Sequence, residues 1–218
     1  MSEFVNYDIT PYIHLIEKHF PSHITIDESH VTLERRLHFN NTPNDLQDSN
    51  YKDYVDLVDS NIGPFYKKID GPNWKKDKVE EMKHDKLVYI SYYSETNKLI
   101  AFISFVLTFD EYELSRIFYL YEIHISKNHQ KAHLGTQLIN KFHSLNETPN
   151  VDDLSIDKIE TFKLTVFSDN EVAVNWYRKL GYQISSESPT DRTLRSGRVI
   201  KPDYYIMVKH TSSLMVTR

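Results

Sequence analysis

The chain has no cysteine. That excludes disulfide cross-links, thiolate zinc sites and a cysteine nucleophile, and it fits an intracellular protein. Long apolar runs are also missing. The longest, Leu99 to Phe109, is about half of what a membrane-spanning helix needs. The opening residues MSEFVNYD carry an acid where the basic region of a secretory leader would stand, so no leader is expected. Nothing repeats and no segment is of low complexity. Basic residues are outnumbered, 26 Lys and Arg against 31 Asp and Glu, for a net charge of −5. Phosphate contacts need a basic surface, so direct binding to nucleic acid is not expected. A partner rich in lysine and arginine is compatible with that charge.

The apolar share of 39% is enough for one sizeable core in 218 residues, which is ordinary for one domain. Aromatics are plentiful, with 15 Tyr and 11 Phe. Tyrosine joins a polar tip to an apolar body, so many of these should be half-buried or line a cleft.

The chain is organised around Ile117 to Leu145. This stretch opens as a strand. It closes as a helix, with Leu134, Leu138, Ile139, Phe142 and Leu145 at helical spacing. A polar loop, Lys127 to His133, joins the two. The first-turn amides of a helix have no intrahelical acceptor and sit at the positive end of the dipole, so such a unit is a ready anion site. A phosphate-bearing cofactor is its natural occupant.

In chain order, Thr10 and Pro11 open a helix with Thr10 as cap, and Tyr12, Ile13, Ile16 and Phe20 form its apolar face. Strand material follows, best at Val31 to Phe39, then a turn at Asn40 to Asn44. Residues 1–45 read as an N-terminal elaboration. Leu46 to Ser60 is helical, with a break or kink at Asn61-Ile62-Gly63-Pro64 and a short resumption at Phe65 to Ile69. Trp74 to Asp85 is a charged helix anchored by Trp74, Val79 and Met82, with most of its charges on a solvated face. A three-stranded meander covers Leu87 to Tyr93, Leu99 to Phe109 and Arg116 to Ile125. Asn146 to Thr161 is an acidic surface insertion. After the strand Phe162 to Phe167, Ser168 and Glu171 have capping-box spacing. The next helix runs to Leu180, and Gly181 closes it. Tyr182 to Ser185 begins a strand, Ser186 to Asp203 is a long polar connection, Tyr204 to Lys209 is the last strand, and the tail from His210 frays.

The loop Gln130-Lys131-Ala132-His133-Leu134-Gly135 resembles the Q/R-x-x-G-x-G/A pyrophosphate loop of the GNAT acetyltransferases, with His133 where that family usually has its first glycine. Asn170-x-x-Ala173-x-x-x-Tyr177-x-x-x-Gly181-Tyr182 resembles the family's second signature. Several phrases are similar to the NatD branch, which acetylates the N-termini of histones H4 and 2A. These are Trp74 with Glu80-Glu81-Met82, Ala101-Phe102, Phe109-Asp110, Phe118-Tyr119-Leu120-Tyr121-Glu122, Leu164-Thr165-Val166-Phe167 with Asn170, Ser188-Pro189 and Tyr204. The resemblance implies one α/β domain across the chain, a mostly antiparallel mixed sheet flanked by helices.

It also implies a chemistry: direct transfer of acetyl from acetyl-CoA, without a metal, to the α-amine of a basic histone tail that begins Ser-Gly-Arg-Gly. Such an enzyme is expected in cytoplasm and nucleus, as a monomer. By resemblance, backbone groups of Ile123, His124 and Ile125 hold the pantetheine arm at a splay between two strands. Gln130, Lys131, Ala132, His133, Leu134, Gly135 and Thr136 cradle the pyrophosphate, and Thr165 and Asn170 border the cofactor. A non-glycine at His133 still offers a backbone N–H, and its Cβ is expected to crowd the cofactor. Glu122 is the candidate general base, its pKa raised towards neutrality by burial. Its other reading is an ion pair with a nearby Lys or Arg. His124 is a rival base, and its other reading is a hydrogen-bonded strand histidine. Tyr177 either protonates the leaving thiolate or packs. The peptide site would use Tyr66, Trp74, Asp110, Tyr119, Tyr121 and Tyr204, although each tyrosine alone also reads as core. Two other functions remain open: a GNAT enzyme acting on lysine or a small amine, and a silent acetyl-CoA and peptide-binding module.

Overall fold

A computed structural model describes residues 9–26, 31–40, 48–146 and 159–211, with 48–50 as backbone only. A 3₁₀ turn, Thr10–Tyr12, leads into α1 (Ile13–His19). There follow β1 (His23–Ile26), β2 (Val31–Phe39), α2 (Asp48–Ile69), α3 (Trp74–Met82), β3 (Val88–Tyr93), β4 (Leu99–Asp110) and β5 (Ser115–Ile125). The second half comprises α4 (Leu134–His143), β6 (Thr161–Phe167), α5 (Glu171–Lys179), β7 (Gln183–Ile184), β8 (Arg192–Thr193), β9 (Val199–Ile200) and β10 (Tyr204–His210).

Eight strands form one sheet in the order β1-β2-β3-β4-β5-β6-β10-β7, and β8 and β9 form a separate hairpin. Every pair in the large sheet is antiparallel except β5 with β6. Apolar side chains of α1, α4 and α5 cover one face, among them Ile16, Phe142 and Val174. On the other face α2 and α3 contribute Tyr54, Val58, Trp74 and Met82. With helices on both sides, β4 is buried continuously from Leu99 to Thr108 instead of alternating.

The meander and the helices α4 and α5 lie where apolar periodicity puts them, and Gly181 closes α5 at φ +91°. Three local readings are corrected. Thr10 does not cap α1; the turn begins after Ile9, with no side-chain cap bond. Helix α2 does not break at Gly63-Pro64. Proline removes one N–H from the helical ladder, but Ile62 and Tyr66 pack on either side of it against the second core and keep the helix continuous. The cap of α5 is Asn170, whose Oδ1 accepts from the Ala173 amide at 3.2 Å, while Ser168 donates through Oγ to the Pro202 carbonyl. The connection after β7 holds the hairpin β8–β9, whose two-residue strands are too short to leave a pattern. Residues 41–44 of the expected turn, most of the acidic insertion and the end of the tail lie outside the described residues.

Candidate active site

Between β4 and β5 the register slips once. Ser104 faces Glu122, but Phe105 faces Leu120, so Tyr121 is an extra residue on β5. Such a bulge bends its strand and increases the twist. It also places two consecutive side chains, Tyr121 and Glu122, on the same face as Tyr119 and His124, the face covered by α2 and α3. Past the bulge β5 leaves its parallel neighbour. Pairing with β6 covers only Phe118, Tyr119 and Leu120 against Phe162, Lys163 and Leu164. A wedge therefore opens between Tyr121–Ile125 and Thr165–Phe167. The Ser126 amide donates to the Ile100 carbonyl at 2.8 Å. By strand alternation His124 also turns its backbone to β4, and Ile123 and Ile125 turn theirs into the wedge. This corrects the expectation for His124, whose backbone is spent in the ladder. The Ile125 carbonyl accepts from Asn61 Nδ2 and from Gln130 Nε2, both at 3.0 Å.

The loop into α4 alternates in handedness. Lys131 has φ +67° and His133 has φ +57°. Such alternation points successive amides into a concavity that suits an anion. His133 is the residue before α4 and makes no side-chain cap bond. The first helical bond runs from the Gln137 amide to the His133 carbonyl at 2.9 Å. The amides of Leu134, Gly135 and Thr136 precede it and have no acceptor within the helix. A Cβ on Gly135 would meet only ordinary contacts, Ile125 at 3.7 Å and Trp176 at 3.8 Å, so the protein's own packing does not demand glycine there. Lys131 and these amides fit a pyrophosphate. The glycine usual at position 133 is explained by its left-handed backbone, which histidine adopts at a cost of about 1 kcal/mol. Thr165 lies across the wedge, its Oγ1 at 2.5 Å from the Tyr119 hydroxyl. The Asn170 side chain is committed to the α5 cap.

Glu122 is 6% exposed and surrounded by donors. Lys78, itself 4% exposed, pairs through its ammonium with Oε1. His124 Nε2 lies 2.5 Å from Oε2, and the Tyr66 hydroxyl donates to Oε1 at 3.4 Å. Asn61 Nδ2 donates to His124 Nδ1 at 3.3 Å, which leaves the ring proton on Nε2, facing Glu122. Lys78 also bonds Glu81 Oε1 at 2.8 Å. Burial pushes the Glu122 pKa up, but the Lys78 charge and then His124 outweigh burial and bring it down to about 2. The expected rise towards neutrality is thus reversed in the free protein, because Lys78 turns inward from α3, whose charges mostly read as a solvated face. Lys78 was missed for that reason. Its signal was present: Trp74, Lys78 and Met82 recur every four residues along the buried stripe of α3.

The aromatic residues gather on the same face. Tyr66 stacks on Trp74 at 4.5 Å with the rings 8° apart, and meets Phe167 edge-on at 4.8 Å. Trp74 is 1% exposed, so it backs Tyr66 and does not itself line the surface; its indole N–H has no partner among the described residues. Tyr119 and Tyr121 meet edge to face at 5.6 Å. Tyr204 lies opposite Phe167 and is 41% exposed. Asp110 is engaged by Lys163, whose buried ammonium also pairs with Glu187 and approaches Glu113. On the opposite face, Tyr177 is buried against Tyr182, ring centroids 5.6 Å apart. Burial and then the Glu122 charge push its hydroxyl well above the ordinary tyrosine range. Among the described residues no cluster of His, Asp and Glu is placed to hold a metal ion.

Residues 85–184 match the acetyltransferase (GNAT) domain family. The chain is 31% identical to N-alpha-acetyltransferase 40 of Saccharomyces cerevisiae over 72% of its own length, and it spans 63% of that relative. Among solved structures it is similar to a GNAT-family acetyltransferase of Staphylococcus aureus Mu50, with 11% identity, a TM-score of 0.53, and coverage of 82% of this chain and 99% of the other. Arabidopsis thaliana NAA60, solved with a bisubstrate analogue, is similar at 11% identity and a TM-score of 0.53, with coverage of 81% of this chain and all of the other. These two likenesses concern the fold. The chain has a single α/β fold of the GNAT type, and its residues 85–184 match the acetyltransferase (GNAT) domain.

Proposed function

We propose that the protein transfers acetyl from acetyl-CoA to the α-amine of a peptide N-terminus, and that its acceptor is the Ser-Gly-Arg-Gly terminus of histones H4 and 2A. The observation that carries this reading is the placement of Glu122. The bulge at Tyr121 turns it towards the aromatic face, beside the wedge where the acyl donor would lie. The 31% identity to an N-alpha-acetyltransferase supports an α-amine acceptor. Tyrosines and carboxylates on that face suit a basic, unblocked peptide.

In this reading Lys131 and the amides of Leu134, Gly135 and Thr136 hold the pyrophosphate, and the backbone of Ile123 and Ile125 aligns the pantetheine arm. Acetyl-CoA supplies the activated thioester carbonyl. Tyr66, Tyr121 and Tyr204 orient the peptide, with Trp74 behind Tyr66 and Tyr119 fixed by Thr165. Asp110 faces the peptide's basic side chain. Glu122 binds the α-ammonium and takes one proton from it. As the nitrogen–carbon bond forms and the carbon–sulfur bond breaks, the nitrogen gives up its second proton and the departing sulfur takes one up, so the net release is the single proton on Glu122. Tyr177, buried and with its hydroxyl pushed well above the ordinary range, packs and is a weak acid for the thiolate. A histone acceptor puts the protein in cytoplasm and nucleus.

The test is CoA release with acetyl-CoA and Ser-Gly-Arg-Gly-Lys peptide, free or N-blocked. Turnover of the free peptide alone is expected. Acetylation of the blocked peptide instead moves the acceptor to lysine. Acetyl-CoA binding without turnover on any amine makes the protein a binding module.

A further inference from the structure

Lys78 touches two carboxylates of different character. Glu122 is buried, whereas the Glu81 side chain is 43% exposed at the surface of α3. The Lys78 ammonium bonds both and lies 5.3 Å from the centroid of the Tyr66 ring, on the face assigned to the peptide. The free site thus holds one ammonium where the proposed reaction must bring a second, the substrate's own. Two carboxylates around one lysine leave one negative charge over, which is what an incoming ammonium would neutralise.

We infer that Lys78 is a positioning residue that changes partner: it occupies Glu122 in the free protein, and the substrate ammonium displaces it onto Glu81, leaving Glu122 to receive the substrate's proton. This rests on the reading of Glu122 as the base.

The exchange needs little movement, because the bond to Glu81 already exists at 2.8 Å. It also reconciles two opposed requirements. A carboxylate paired with lysine is a weak base but a strong ammonium site. Once Lys78 is withdrawn, burial raises the proton affinity of Glu122. Lys78, still charged on Glu81, disfavours the second ammonium and so favours its loss of a proton. The groups facing Glu122 are Lys78 and Glu81 of α3, Tyr66 of α2 and His124 of β5, with Tyr89 of β3 and Tyr177 of α5 acting through charge. Only Lys78 among them has a second carboxylate within hydrogen-bond distance.

The experiment measures kcat and kcat/KM against pH for the wild type, Glu81→Gln, Glu81→Asp, Lys78→Met and Glu122→Gln. Glu81→Gln is expected to lower kcat tenfold or more, with KM for acetyl-CoA within about twofold of wild type, and Glu81→Asp should restore most of the loss. Lys78→Met should move the acid limb of kcat/KM up by at least one pH unit. Wild-type kcat in Glu81→Gln, or an unmoved acid limb in folded Lys78→Met, overturns the inference. If Lys78→Met does not fold, the exposed Glu81 pair decides alone. An inactive Glu122→Gln with an unaffected Glu81→Gln removes the exchange and keeps the base. Full activity in Glu122→Gln removes both.

Discussion

Ser104 on β4 pairs with Glu122 on β5, one residue out of step with the pairing of Phe105 and Leu120. The slip leaves Tyr121 over and coincides with the end of pairing between β5 and β6. A bulge bends and twists its strand, so this one residue both opens the wedge and sets a carboxylate beside it. Deleting Tyr121 should let β5 run regularly alongside β6. The deletion variant is expected to fold, to keep Glu122 opposite Ser104, and to bind acetyl-CoA at least tenfold more weakly by titration calorimetry. Unchanged affinity would separate the wedge from the bulge.

The left-handed backbone at His133 gives a second prediction. Glycine there would relieve about 1 kcal/mol of strain and would also give the unfolded chain more freedom, which offsets part of it. His133→Gly should therefore gain about 0.5 kcal/mol, read as a small rise in Tm, and should bind CoA no more weakly than the wild type. His133→Val, β-branched and a poor occupant of that region, should lose 1 kcal/mol or more and bind CoA less well.

His143 predicts an acid sensitivity. Its Nδ1 accepts from the Lys209 ammonium at 3.2 Å, so its Nε2–H donates to the Tyr182 hydroxyl at 2.9 Å. Burial first, and then the Lys209 charge, lower its pKa to about 3. The folded state therefore binds fewer protons than the unfolded one below the ordinary value of 6.5. This contribution is complete above pH 6.5 and is lost as the pH falls towards 3. The Glu122 contribution has the same sign but begins lower, below 4.5. Urea unfolding between pH 6.5 and 4.5 should show stability falling in the wild type and a flatter profile in His143→Asn.

Much of this was written in the chain. Apolar periodicity is a property of a few consecutive residues, and it located the meander, α4 and α5. The continuity of α2 was not readable, since Pro64 predicts a break locally while packing at Ile62 and Tyr66 decides otherwise. The bulge left a trace. From Phe118 to Ile125 the buried and cleft-facing residues alternate, except at Tyr121-Glu122, where two cleft-facing residues adjoin. Lys78 left one as well, in its spacing from Trp74 and Met82. Asn61 left none, because its bonds to His124 and Ile125 join residues more than sixty positions apart.

The central claim is that Glu122 takes the proton of a peptide α-amine. Steady-state CoA release, with acetyl-CoA and free Ser-Gly-Arg-Gly-Lys peptide, tests it by comparing the wild type with Glu122→Gln. Turnover is expected in the wild type, with a fall of ~10² or more in the variant and acetyl-CoA still bound. Equal turnover in the two proteins would contradict it.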